Sequence, residues 1–275
     1  MPAVRTKPAG LAPRGGVLVY RTRLAIRVWH WINALSIFVL LMSGLMIFNA
    51  HPHLYWGAYG ANFDHAWLEI GSGTVGTGQW RVGSLVLPGG GVLARAPLQA
   101  FPGVLTIPDH YSLADARIWH VFFAWLLVIS GTLFMAWALV ARHLTRDLLP
   151  APRELAPRHL AHDIADHARL RFPTGAAALK YNVLQKLAYC AVLLVLIPTM
   201  VLTGLTMAPG LDAAWPWLPW LFHGRQTARS LHFLAAMGLA AFIGIHLLMV
   251  VLAGPINELR SMITGWYRLP RDRRG

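Results

Sequence analysis

A single cysteine, Cys190, occurs in the 275 residues. That scarcity excludes an internal disulfide, a C-x-x-C-H haem attachment and a cysteine-ligated iron–sulfur cluster within the chain. Acidic residues are also scarce, 11 against 24 Lys and Arg, and only 13% of all residues are charged. Beside a 56% hydrophobic content, so little charge excludes the composition of an ordinary soluble domain. Internal repeats and low-complexity tracts are absent too.

What the sequence does have is four long apolar runs, at 24–48, 118–141, 183–208 and 230–253. Each supplies the roughly 20 helical residues that cross a hydrocarbon core of about 30 Å. The expected fold class is therefore all-α integral membrane, a single bundle of four transmembrane helices. The first run has a basic leader like a signal peptide, but its apolar stretch is too long and no A-x-A-like site follows at "IFNAHPH". It reads as an uncleaved span.

A net charge of +13 raises the question of nucleic acid, and its distribution answers it. Arg5, Lys7, Arg14, Arg21, Arg23 and Arg27 precede or open the first run, and further basic residues fill the connection between the second and third runs and follow the fourth. The other two connections carry Arg81, Arg95, Arg117, Arg225 and Arg229, offset by Asp64, Glu69, Asp109, Asp115 and Asp212. The positive-inside rule then places both termini in the cytoplasm and accounts for the basic balance without nucleic acid.

The organisation expected is a flexible basic tail at 1–21, one membrane domain at 22–265 and a second basic tail at 266–275. Within the domain, 49–112 forms a long periplasmic insertion, punctuated by "GSGTVGTGQW" and "LPGGG", with a short hairpin around 79–87. The cytoplasmic loop at 142–180 holds "RHLAHDIADHARLR", which predicts a basic amphipathic helix at headgroup level. His159, His162 and His167 in it read as a solvated face rather than a metal site, since no carboxylate or thiolate arrangement completes a closed coordination sphere.

Two histidines, His232 and His246, interrupt the fourth run. Fourteen residues of helix separate them by about 21 Å along the axis and about 40° around it, so they mark two ends of one face. A histidine in a bilayer needs a partner and an interior position. The other runs offer partners at matching depths: His30 near the cytoplasmic start of the first, opposite His246, and His120 near the outer start of the second, opposite His232. Low-spin haem iron takes two axial donors, and neutral imidazole supplies one each. Two non-covalent b-type haems with bis-histidine ligation use all four residues.

Arg27, Arg117 and Arg229 each stand one turn before a histidine, where a guanidinium is able to pair with a haem propionate. Snorkelling to headgroups is the alternative, and it explains Arg27 well. Small residues are expected on walls that face a macrocycle, with Gly131 on the His120 face, Gly44 on the His30 face and Gly244 beside His246. At the entrance of the third run, "KYNVLQKLAYC" places Asn182, Gln185 and Lys186 on one face, where they are suited to a quinone carbonyl and its proton. The alternative there is an interfacial helix start capped by Asn182.

These motifs resemble a known family, the four-helix di-haem cytochrome b subunits of respiratory formate dehydrogenase, nickel–iron hydrogenase and thiosulfate reductase. The likeness covers about residues 21–265 and rests on "RVWHWINALSIFVLLMSG", "RIWHVFFAWLLVISG", "KYNVLQK" and "RSLHFLAAMGLAAFIGIH" in that order. The resemblance implies that His30 with His246 binds a cytoplasmic-side haem and His120 with His232 a periplasmic-side one. It also implies a quinone pocket at the start of the third helix, with Asn182 and Gln185. The implied protein is a multi-pass cytochrome of the bacterial inner membrane, passing electrons between the quinone pool and a periplasmic molybdopterin oxidoreductase. Two rival readings remain: a free-standing quinone reductase fed by a diffusible donor such as superoxide, and a colourless transporter or scaffold whose histidines only bridge helices.

Overall fold

A long apolar segment has one local way to satisfy its backbone away from water, and that is helix. In the computed structural model, which describes residues 6–8, 16–61, 64–70, 79–82, 85–88, 100–169, 179 and 181–269, all four runs are helices of spanning length. They are α1 (Leu24–Asn49), α2 (Leu113–Val140), a composite third span (Val183–Met207) and a fourth (Arg225–Ala253). Large apolar side chains such as Phe38, Phe122, Leu133 and Ile245 are exposed, whereas Ser36, Ser43, Thr203, Thr206 and Ser230 are wholly buried. That inversion suits a chain whose solvent is hydrocarbon, with small polar residues packing the helices together.

Two spans begin earlier than their apolar runs. Ser112 caps α2 by donating to Asp115 Oδ2 and accepting from the Asp115 amide, so a polar first turn precedes the hydrophobic stretch. Between the second and third spans lies α3 (Pro157–Ala168), the amphipathic helix expected in the loop. The third span is α4 (Val183–Ala191), a π-helical stretch at Val192–Leu196, and α5 (Ile197–Met207). Pro198 explains the interruption, since it has no N–H to give and its ring crowds the carbonyl four residues back. Two short helices, α6 (Pro209–Ala214) and α7 (Trp217–Leu221), lead to α8 (Arg225–Ala253), and α9 (Pro255–Thr264) follows a left-handed turn at Gly254.

Packing gathers the chain into two units. The first comprises residues 1–32, 130–194 and 241–275. Within it, β2 (Val17–Tyr20) pairs antiparallel with β1 (Thr6–Pro8) and with β7 (Trp266–Leu269). Of the expected flexible tails at 1–21 and 266–275, the sheet orders residues 6–8, 17–20 and 266–269. Val19 and Tyr267 are buried in it, Tyr20 meets Trp266 edge to face, and Arg21 pairs with Glu258 at 3.0 Å. Residues 1–5, 9–15 and 270–275 of those tails lie outside the described residues.

The second unit comprises residues 33–129 and 195–240. Its insertion carries an antiparallel sheet in the order β3 (His53–Leu54), β4 (Leu68–Ile70), β5 (Gln79–Val82), β6 (Leu85–Pro88), and the last two strands form the anticipated hairpin. The glycine-rich stretches at 71–78 and 89–92 lie outside the described residues. Phe48 from the end of α1 packs with Leu54, Leu68, Ile70 and Ala100, flanked by Trp67, Phe101 and Phe233 of α8. Ser230 of α8 donates to the Tyr55 carbonyl and accepts from Trp67 Nε1, so the insertion is clamped to the helix that carries His232.

Candidate functional site

The four membrane histidines meet two by two. The rings of His30 and His246 stand 6.4 Å apart between centroids and tilt by 56°. Those of His120 and His232 stand 6.2 Å apart and tilt by 55°. Each pair lies wholly within one unit. Two imidazoles bound trans to one metal, with bonds of about 2 Å and roughly 1 Å from each nitrogen to its ring centre, have centroids about 6 Å apart. Both pairs therefore fit a single iron held between two rings.

Around the second pair, hydrogen bonds fix the chemistry of the rings. Ser43 Oγ gives its one proton to the Val39 carbonyl, one turn back, at 2.7 Å, and lies 3.0 Å from His120 Nδ1. A hydroxyl whose proton is committed meets the imidazole as an acceptor, so Nδ1 carries the hydrogen and Nε2 keeps its lone pair. Thr203 repeats the arrangement: its hydroxyl donates to the Thr199 carbonyl at 2.5 Å and lies 2.9 Å from His232 Nδ1. Both rings thus present a bare Nε2, the form that ligates a metal.

Two glycines make room for this. A Cβ on Gly44 would meet His120 Cε1 at 3.4 Å, and one on Gly204 would meet His232 Cε1 at 3.4 Å. Gly44, fourteen residues after His30 on α1, therefore serves the His120 ring, because the neighbour is set by which helix packs opposite. A Cβ on Gly131 would meet Trp29 Nε1 at 4.0 Å, and one on Gly244 would meet nothing within 4 Å among the described residues. Sequence reasoning missed Ser43, Thr203 and Gly204. The signal was present as a repeated hydroxyl-glycine pair, in "LLMSGLM" and "VLTGLTM".

The first pair has a different setting. His30 Nδ1 and Arg27 Nε are buried without a hydrogen-bond partner among the described residues. Trp29 stacks on Phe134 at 4.2 Å, while His246 stacks on Phe242 at 5.8 Å. Phe242 in turn meets Tyr189 at 6.4 Å, and Tyr189 meets Tyr181 at 5.5 Å, so an aromatic file joins His246 to the start of α4. Burial raises the phenol of Tyr181 above its ordinary value.

The three arginines diverge. Arg27 lies against Gly265, where its buried Nε is an orphaned donor of the kind a carboxylate would satisfy. Arg117 is exposed. Arg229 is turned to the backbone carbonyls of His51 and His53 and lies over the Phe48 ring. The partners the structure gives Arg229 are thus backbone carbonyls. Carbonyls just past the end of α1 need donors, and the buried guanidinium supplies them. His51, beside it, is lowered from its ordinary value by burial, then by the charges of Arg229 and His53.

At the start of α4, Asn182 Oδ1 accepts from the Gln185 amide, and Gln185 Oε1 accepts from the Asn182 amide, a capping box. Asn182 Nδ2 donates to His167 Nε2 at 3.1 Å, and His167 Nδ1 donates to the Asp163 carbonyl, so that ring's tautomer is fixed as well. Lys186 Nζ holds both oxygens of Glu154, at 2.9 and 2.8 Å. This hydrogen bond holds the Glu154 carboxyl below its usual range. In the loop, His159 and His162 stand near Asp163 and Asp166 on α3, and no cluster able to hold a metal ion occurs among the described residues.

Comparison with known proteins gives a consistent result. Residues 21–265 match the family described as prokaryotic cytochrome b561. A protein of Azospira oryzae named as a protein-methionine-sulfoxide reductase subunit, YedZ1, is 27% identical over 241 residues, covering 87% of this chain and 93% of the relative. A protein of Azotobacter vinelandii named as a B-type cytochrome subunit of a Ni/Fe-hydrogenase is 24% identical over 267 residues, covering 93% and 90%. No solved structure matches the chain.

Proposed function

The chain belongs to the prokaryotic cytochrome b561 family, and from that premise we propose that it binds two b-type haems, one between His30 and His246 and one between His120 and His232. It is a multi-pass membrane electron-transfer subunit. The observation that carries it is the repeated 6.2 to 6.4 Å separation of paired imidazoles on spanning helices. The haems supply one-electron redox chemistry when bound.

The chain's own residues hold and tune that chemistry. Ser43 and Thr203 keep Nε2 of His120 and His232 free to ligate. Arg27 offers a donor to a propionate of the first haem.

The quinone site we assign to the start of α4, joined to His246 by the rings of Tyr189 and Phe242. Asn182 acts there through the cap that fixes the helix start, since its side-chain groups are engaged. The side-chain NH2 of Gln185 and the Lys186 ammonium are the groups for the quinone oxygen, with the Lys186–Glu154 pair holding a proton. By the charge distribution, this end and both termini face the cytoplasm of a bacterial inner membrane, and the insertion faces the periplasm. Relatives named as subunits of a hydrogenase and of a methionine sulfoxide reductase support a separate catalytic partner, for which a periplasmic molybdopterin oxidoreductase is the proposal.

The test is a dithionite-reduced minus air-oxidised spectrum of the purified chain with a pyridine haemochrome assay, followed by mixing with a reduced quinone. Two non-covalent b haems per chain that a quinol reduces are the expected result. A colourless protein from haem-sufficient cells would end the haem reading, and haems that no quinol reduces would end the quinone one.

A further inference from the structure

The two histidine pairs are alike in separation and tilt but not in what their outer nitrogens touch. His120 and His232 each have Nδ1 within 3.0 Å of a buried hydroxyl, Ser43 Oγ and Thr203 Oγ1. His30 Nδ1 is buried without a hydrogen-bond partner among the described residues. Back-bonding of Ser and Thr to the preceding turn is ordinary in membrane helices. It does not by itself bring a hydroxyl oxygen to an imidazole nitrogen, and here two different helices do so, each with a glycine next in sequence against the same ring.

Resting on the haem reading above, we infer that Ser43 and Thr203 are positioning residues that lower the reduction potential at the His120–His232 site and so bias a shared electron towards the His30–His246 site. A hydroxyl that donates to a backbone carbonyl is polarised and becomes a better acceptor. The Nδ1–H that donates to it shifts electron density to Nε2, and a more basic ligand favours ferric over ferrous iron. Reduction adds one electron to the iron, breaks no bond and leaves the Nδ1 proton on the ring. Among the described residues His30 Nδ1 lacks such an acceptor, so the two hydroxyl contacts set the His120–His232 site apart.

The experiment is a potentiometric titration of the full chain in detergent, with Ser43→Ala, Thr203→Val and the conservative Ser43→Thr and Thr203→Ser. His30→Ala and His120→Ala, each lacking one haem, assign the two spectral components. Each hydroxyl removed is expected to favour reduction at the His120–His232 site about threefold, which at 59 mV per tenfold for one electron is about 30 mV upward. The other midpoint stays in place, and the conservative variants restore the first. Unmoved midpoints in variants that keep both haems would overturn the inference while leaving the haem reading intact. If Thr203→Val loses its haem, Ser43→Ala, which deletes one oxygen atom, carries the test. If both lose it, Ser43→Cys, whose thiol is a weaker acceptor, carries the test, and an unmoved midpoint there overturns the inference. If the unmodified chain binds no haem, the underlying reading has failed instead.

Discussion

His120 on α2 and His232 on α8 hold their rings 6.2 Å apart at 55°, a gap too wide for a hydrogen bond and matched to one metal between them. Substituting either residue by alanine leaves one axial donor and is expected to remove the same haem, halving the haemochrome yield. His30→Ala and His246→Ala are expected to remove the other. Spectra of the four variants check this, and a crossed pattern, with His30 grouping with His232, would overturn the pairing.

Gly44 and Gly204 touch the imidazoles of the second pair, with room for a Cβ at 3.4 Å but little more. Alanine at either position is expected to be tolerated. Gly44→Leu or Gly204→Leu would push atoms into the ring and lower occupancy of that site alone, by a half or more. Haem quantification of the two leucine variants decides it: loss confined to the His30–His246 component would show that the glycines do not serve the rings they touch.

Arg229→Met leaves the His51 and His53 carbonyls without the donors that now reach them. A lost charge-assisted hydrogen-bond set of this kind costs about 2–4 kcal/mol. The expected readouts are a lower Tm and faster proteolytic cutting in the insertion, with two haems still bound. Haem loss with an unchanged Tm would instead restore a haem-facing role for Arg229.

The Lys186–Glu154 pair gives a pH dependence with a definite sign. The Glu154 carboxyl is held below its ordinary value by its hydrogen bond to Lys186. Its contribution to holding the loop on α4 is therefore fully present above the unfolded value of about 4.3 and is lost as pH falls through the lower folded value. Hydrogen exchange of residues 151–169 should be flat from pH 7 to 5, apart from its intrinsic rate, and rise below about pH 4. Lys186→Met should show the faster exchange already at pH 7. Identical protection in the two proteins at pH 7 would show that the pair holds nothing.

Much of the fold was legible because a bilayer imposes a simple rule. Four apolar runs became four spanning helices, and the hairpin and amphipathic loop helix lie where turn residues and periodicity put them. The tails were misread because pairing of residues 17–20 with 266–269 is a contact between chain ends that no local pattern announces. Arg229 shows a related effect: its spacing from His232 is local, but the carbonyls it binds belong to another segment. Asn182 illustrates a third case, where the residue type suited both a cap and a ligand contact, and the structure shows the cap.

By itself the sequence determined the membrane class, the number of spans and which histidines stand at matching depths, because these depend on length, apolar content and helical rise along one chain. The tertiary structure alone decided which rings face each other at 6.2 and 6.4 Å and which glycine serves which ring. It also decided that only the second pair is anchored by Ser43 and Thr203. Those facts are set by how one helix is rotated against its neighbour, a quantity fixed by packing between segments and encoded in no single one of them.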